Sequence, residues 1–184
     1  MKIFHSVVFF LLLLCACVAP EPISQISFEQ QLERKLNAGA TIALSVDITT
    51  GKSGSSWSMS PEDFALNLER KLEFQLIESG LVHQIVEPDD AADHDMKVTI
   101  TDFKHDVIGL PGGDNDRLNR VAADVILTER GDRRQLAAYD IRAEAGSEAA
   151  YGNQQDGAGL NALLEVAAQS ILEGLQGKTK AADL

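Results

Sequence analysis

The sequence predicts an α+β fold: a two-layer sandwich in which a mainly antiparallel sheet carries two long helices packed on one face. Three observations lead there. Apolar and polar residues alternate around positions 42–48, 96–100, 121–127 and 137–143, the period of a half-buried strand. Apolar residues recur at intervals of three and four in two longer stretches, Phe64 to Leu76 and Leu160 to Leu175, the period of a helix with one buried face. The strands are grouped between these helices, which suits helices segregated to one side of an antiparallel sheet.

Along the chain, Glu21 to Ser27 reads as a short polar linker containing Pro22. Phe28, Leu32 and Leu36 repeat every four residues with Gly39 beyond, predicting a short helix over Phe28 to Asn37. From Thr41 the period changes to two: Ile42, Leu44, Val46 and Ile48 alternate with smaller or polar residues, so a strand is expected. Thr50 to Met59 is rich in Gly and Ser and reads as a loop.

Ser60-Pro61-Glu62-Asp63 is a strong helix start. The serine can accept from an orphan amide, proline fits the first helical position, and the acids face the positive end of the dipole. Phe64, Leu68, Leu72 and Leu76 form the expected buried stripe, widened by Ile77, and Gly80 can adopt the left-handed stop. Leu81 to Glu87 reads as a short strand ended by Pro88, and Asp95 to His105 as a longer one, with Phe103 packing at its far end. A loop is expected over Gly109 to Asn119. Val121, Ala123, Val125 and Leu127 share one face, as do Ala137, Tyr139, Ile141 and Ala143 after Gly131-Asp132, which predicts a hairpin. Leu160, Leu163, Leu164, Ala167, Ile171 and Leu175 make the stripe of the closing helix, Gly177 ends it, and a polar tail follows.

The first residues specify an address. Met1-Lys2 is a positive start, Val7 to Leu14 is an unbroken apolar run, and small Ala16 precedes Cys17. A spanning helix needs about 20 apolar residues, and this run stops short of that between His5-Ser6 and Pro20-Glu21-Pro22. Leu14-Cys15-Ala16-Cys17 resembles the bacterial lipobox, departing from it in having Cys15 where a small or hydroxyl residue is usual. The resemblance implies cleavage before Cys17 and acylation of its thiol. The expected organisation is a signal at 1–16, a lipidated tether and short helix at 17–40, an α+β domain at 41–177 and a mobile tail at 178–184.

The chain has two cysteines, Cys15 and Cys17. One leaves with the signal and the other is consumed by lipid, so the mature domain relies on its core without disulfides. The full chain carries a net charge of −12. Such a surface repels polyanions, which excludes nucleic acid as a partner, and it gives no adhesion to anionic headgroups. Membrane attachment therefore falls to acylated Cys17. The residue after it is Val18 and not Asp, which by resemblance to lipoproteins of two-membrane bacteria favours the outer membrane and a domain facing the periplasm.

No motif names a reaction. His83, His94 and His105 stand near carboxylates, and His94 lies among Asp89, Asp90, Asp93 and Asp95, but no His-x-x-x-His or Glu-x-x-His spacing joins them, so a solvated acidic loop is preferred to a metal site. Gly112-Gly113-Asp114-Asn115-Asp116 lacks the glycine and distal glutamate of a calcium loop and reads as a hairpin tip. Gly51-Lys52-Ser53 lacks the upstream glycine of a phosphate loop, Val46 standing in its place. Ser53, Ser55 and Ser56 form no nucleophile elbow. Trp57, the single tryptophan, is read as packing against the sheet or its edge, the other reading being an exposed anchor for a partner. No catalytic, cofactor or metal residue is assigned.

The order strand, Ser-Pro-capped helix, short strand, acidic Ala-Asp loop, three alternating strands and closing helix has its markers in Leu76-Ile77-Glu78-Ser79-Gly80-Leu81, in Ala92-Asp93 before the strand Met96 to Phe103, and in the hairpin Val121 to Ala145. Together these resemble YajG-like envelope lipoproteins and, more distantly, the amino-terminal domain of TolB and curli-secretion-type lipoproteins. The resemblance spans most of Thr41 to Leu175 and implies a non-catalytic interaction or assembly module with an envelope protein as partner. The alternative is a lipoprotein that holds a small ligand or cell-wall fragment in a cleft between sheet and loops.

Overall fold

The computed structural model describes residues 22–33, 36–37, 39–49, 59–109, 115–147 and 156–178. Within them lie strands β1 (Ile23–Gln30), β2 (Thr41–Ile48), β3 (Gln84–Val86), β4 (His94–Gly109), β5 (Asn115–Glu129) and β6 (Arg134–Ser147), and helices α1 (Pro61–Glu78) and α2 (Asp156–Leu175). The strands form one six-stranded sheet in the order β1-β6-β5-β4-β2-β3. The fold is α+β, and the sheet is mixed where a mainly antiparallel one was expected: β1, β6, β5 and β4 pair antiparallel, while β2 lies parallel to both β4 and β3. The reason is topological. Helix α1 intervenes between β2 and the strands beside it, and such a crossover returns the chain in the same direction.

The largest correction concerns the start. No helix forms over Phe28 to Asn37; the expected linker and the first part of that segment are β1, paired with β6 from Ile23 opposite Glu144 to Gln30 opposite Ala138. The fourfold spacing of Phe28, Leu32 and Leu36 is real, but Ser24, Ile26 and Phe28 alternate inward, and an open edge of β6 offers this segment hydrogen bonds and burial that an isolated short helix lacks. The folded unit therefore begins by Ile23, not at residue 41. Two other elements change length. Only Gln84 to Val86 of the Leu81–Glu87 segment pairs as strand, and the expected loop over Gly109 to Asn119 is mostly ladder, with β4 reaching Gly109 opposite Asn115.

One sheet face is predominantly apolar: Ile42 and Leu44, Met96, Val98 and Ile100, Val121 to Leu127 at alternate positions, and Ala137, Tyr139, Ile141 and Ala143 are buried in a single core with both helices, with Ser24 and Asn119 as its buried polar members. Phe103 belongs to it although alternation from Ile100 would point residue 102 inward. A bulge at Thr101, between Ile100 and Asp102, shifts the phase by one, and the Phe103 ring meets Phe64 of α1 at 4.6 Å between centroids. Helix α1 starts as the sequence predicts, with the Ser60 hydroxyl accepting from the Asp63 N–H at 3.0 Å, and it ends at Gly80 with φ +69°. Ile77 does not widen the buried stripe. It is 48% exposed, because one residue on from Leu76 the side chain has turned about 100° around the helix.

Helix α2 lies closest to β6. The Tyr139 hydroxyl donates to the Ile171 carbonyl at 2.6 Å, and burial pushes the phenol well above its ordinary pKa. A Cβ added at Gly174 would sit 2.3 Å from the Tyr139 ring, so only glycine lets helix and ring approach this closely. The helix closes in a Schellman arrangement, Gly177 at φ +68° and the Lys178 N–H donating to the Glu173 carbonyl. Lys71 of α1 pairs with Glu165 of α2 across the helix interface. On the outer side of β2, β3 covers only Thr41 to Ala43. Beyond it the Glu69 carboxylate of α1 lies near the Val46 backbone; burial, then the charge of Glu73, raises its pKa, and the Val46 amide opposes that rise.

Candidate functional site

The sheet has two unlike ends. At one, β1 and β5 finish while β2, β4 and β6 begin, and the β1–β2 connection and the β5–β6 turn enclose a cleft of about 900 Å³. Its lining includes Leu32, Leu36 and Leu136 with Asp93, His94 and Arg134. Most polar groups there already have partners. Arg134 pairs with Glu129 at 2.8 Å, the Gln30 and Gln135 side chains bond to one another at 3.1 Å, and the Asp93 carboxylate accepts from the Thr41 N–H at 2.9 Å. Among the described lining residues, His94 has a buried Nδ1 that meets no partner. Such a lining can hold a ligand by shape and a few polar contacts.

The acidic segment around His94 has a structural explanation that the sequence did not show. The Arg130 guanidinium clasps Asp95, donating from Nε at 2.9 Å, and donates also to the backbone carbonyls of Pro88, at 2.7 Å, and Asp90. Its hydrogen bond to Asp95 raises its already high pKa. The Arg130 N–H donates to the Asp93 carbonyl and the Asp93 N–H to the Thr41 carbonyl, both at 3.0 Å. One arginine thus fixes the loop before β4. Among the described residues no group of three or more His, Cys, Asp or Glu is placed to hold a metal ion.

His83 lies in the turn before β3, exposed, with its N–H donating to the Ala40 carbonyl, and His105 lies in β4 opposite Asn119. The three histidines do not converge. Asn115 and Asp116, expected in a hairpin tip, are the first residues of β5. Cys17, Trp57, Gly51-Lys52-Ser53, Ser55, Ser56, Gly112, Gly113 and Asp114 lie outside the described residues, as does the tail beyond Lys178.

Two further surfaces stand out. Leu66, Phe74 and Ile77, at 45%, 65% and 48% exposure, fall on the side of α1 that faces away from the core, spaced so that they form one stripe. Alternation alone gives no warning of it; the signal was that α1 has more apolar residues than one face can bury. On the open face of the sheet, Asp124 and Asp140 stand directly opposite one another on β5 and β6. Partial burial, then the charge of Asp140, raises the Asp124 pKa.

No protein-family model matches the sequence, and no curated protein sequence matches it. Among solved structures the chain is similar to protein XCC0632 of Xanthomonas campestris, of the DUF330 family model, at 12% identity with a TM-score of 0.57, covering 80% of this chain and 89% of that one. It is similar also to the PelC dodecamer of Paraburkholderia phytofirmans, at 12% identity with a TM-score of 0.51, covering 84% and 98%. Protein CT253 of Chlamydia trachomatis matches at 11% identity and a TM-score of 0.50, covering 76% and 99%. The class so defined is a fold, the α+β arrangement of DUF330-like and PelC-like bacterial proteins.

Proposed function

We propose that this chain is a lipid-anchored, non-catalytic lipoprotein of the bacterial envelope, held at the outer membrane by acylated Cys17 and acting there as a protein-interaction or assembly module. The observation that carries the reading is the pairing of the lipobox-like Leu14-Cys15-Ala16-Cys17 with a domain whose outward helix α1 presents Leu66, Phe74 and Ile77 to solvent. Apolar side chains grouped on an otherwise acidic surface are what an interface uses. PelC, which shares the fold, is solved as a dodecamer, and that supports the fold as a building block. The YajG-like resemblance points the same way.

The test places a photo-crosslinking amino acid at Phe74 in the full chain in cells. A discrete adduct of reproducible mass that is lost on Ile77→Ser supports the module; a Phe74 position that yields no adduct refutes this surface. For the anchor, a Cys17→Ser variant should leave the membrane fraction and lack the acyl mass. A second reading, a receptor for a small molecule or cell-wall fragment, is favoured by the cleft of about 900 Å³, a size that suits such ligands. Native mass spectrometry of the purified protein distinguishes the two through a bound small molecule.

A further inference from the structure

We infer that β1 pairs with β1 of a second copy of this chain, antiparallel and about a two-fold axis, so that two six-stranded sheets become one. The inference goes beyond the α1 surface and needs neither that surface nor the anchor. Strand β1 is the last in the sheet order and pairs with β6 on one side only. Among the described residues no backbone hydrogen bond reaches its outer side. A row of amides and carbonyls is thus left for another strand.

The two edges of the sheet are guarded unequally. The far edge ends in β3, which is three residues long, and the part of β2 that β3 does not cover carries Asp47. Short strands and charges are what keep an edge from pairing. Strand β1 runs for eight residues, and over 23–28 it holds no charged residue and no proline. Two chains of net charge −12 repel one another as wholes. An open edge without charge is where they can approach.

Self-pairing also suits the side chains. Residues directly opposite in an antiparallel pair share a face, so a two-fold axis perpendicular to the sheet keeps the helices of both copies on one side. Ser24 and Ile26 are buried toward the core and Phe28 is half-buried, while Ile23, Gln25 and Ser27 are exposed on the open face. The bulge after Phe28 and the missing N–H of Pro22 confine regular pairing to 23–28. An axis at Ile26 sets that residue against its own copy, Ser24 against Phe28 and Gln25 against Ser27. This places an apolar contact in the core layer and a polar pair outside it, whereas an axis at Gln25 would oppose Ile26 to Ser24 and Phe28 to Pro22. With the axis at Ile26 the two Glu29 carboxylates stand roughly 20 Å apart, beyond the Debye length of about 8 Å. The contact is isologous: it consumes the β1 edge of both copies and closes at two.

Disulfide trapping of the full chain in membranes tests the pairing. Opposite Cβ atoms across an antiparallel pair are about 5 Å apart, close enough for a disulfide to form. Gln25→Cys and Ser27→Cys chains carrying different tags are co-expressed and oxidised with copper phenanthroline, the parent chain serving as the blank for Cys17. The mixed pair should give a disulfide-linked heterodimer about tenfold above Ser45→Cys with Asp47→Cys, the pair of matching spacing on the guarded edge. Equal yields from the two edges, or no heterodimer from 25 with 27, overturn the inference. Should either cysteine chain fail to fold, as judged by thermal unfolding, a photo-crosslinking amino acid at Gln25 reads the same edge. An adduct of twice the chain mass, linked within residues 23–30, supports the dimer; an adduct with a different protein, or none, overturns it. The same oxidation works on chain released from the membrane, so a missing acyl group refutes the anchor and leaves this result standing. The adduct from position 74 is read separately and reports on α1 alone.

Discussion

The two helices flank one core and serve it differently. Helix α2 is committed to the fold: Leu160, Leu163, Leu164, Ala167, Ile171 and Leu175 are all buried, Gly174 admits the Tyr139 ring, and the Tyr139 hydroxyl ties the helix backbone to β6. Helix α1 buries Phe64, Leu68, Leu72 and Leu76 and still shows three large apolar side chains on its other side. An apolar residue in this protein therefore means two things, depending on which side of which helix it occupies. The exposed set on α1 contributes little to folding and is available for contact.

Substitutions separate these roles. The largest effect belongs to the shared core: Leu163→Ala on α2 should destabilise the domain by about 2–5 kcal/mol in urea unfolding, through lost transfer energy and a residual cavity. A loss within the range of surface substitutions would break the contrast at once. Next comes the close approach. Gly174→Ala should cost about 1–3 kcal/mol by forcing the Tyr139 ring from its place, and Tyr139→Phe about 0.5–1.5 kcal/mol through the lost hydrogen bond. If Gly174→Ala is neutral, α2 is not held as tightly as its geometry states.

Ile77→Ser on α1 should leave unfolding free energy within about 0.5 kcal/mol while abolishing the adduct formed from position 74. A large stability loss would show that the outward stripe belongs to the fold after all. The smallest effect lies on the sheet face that no helix among the described residues covers. Asp124 has its folded pKa raised, so the folded state holds that proton more tightly than the unfolded one; stability from this group is present below the unfolded pKa and lost as pH rises through the folded pKa. Asp124→Asn should thus raise the unfolding free energy slightly at pH 7, by about a few tenths of a kcal/mol after solvent screening, read as a small rise in the thermal midpoint. The gain should disappear as the buffer is acidified below the carboxylate range.

The strands after α1 and both helices were legible because each carries its own period, and helix α1 also carries its cap in Ser60 and its stop in Gly80. Elements whose identity depends on distant partners were not. Strand β1 has the spacing of a helix and becomes a strand because the edge of β6, more than a hundred residues away in sequence, is there to receive it. Phe103 was placed in the core correctly, but the bulge at Thr101 that puts it there left no local trace. The cleft was anticipated only as a possibility between sheet and loops. Its walls come from the β1–β2 connection and from the β5–β6 turn, and nothing local in Gln30 or Arg134 announces that they meet. The acidic residues around His94 were visible as a group, yet their meaning came from Arg130, which sequence proximity could not supply.

If the chain is anchored as proposed, the place of Glu69 beside the Val46 backbone matters for how neighbouring copies meet. Anchoring packs molecules into two dimensions, where encounters are frequent and an unpaired strand is a seed for open-ended stacking. Between Leu44 and Ile48 the outer side of β2 would be such a seed. The carboxylate occupies its middle, presenting a charge where an incoming strand would need a carbonyl. Copies anchored as proposed would meet that charge along this edge, which would leave association to surfaces that can saturate and stop.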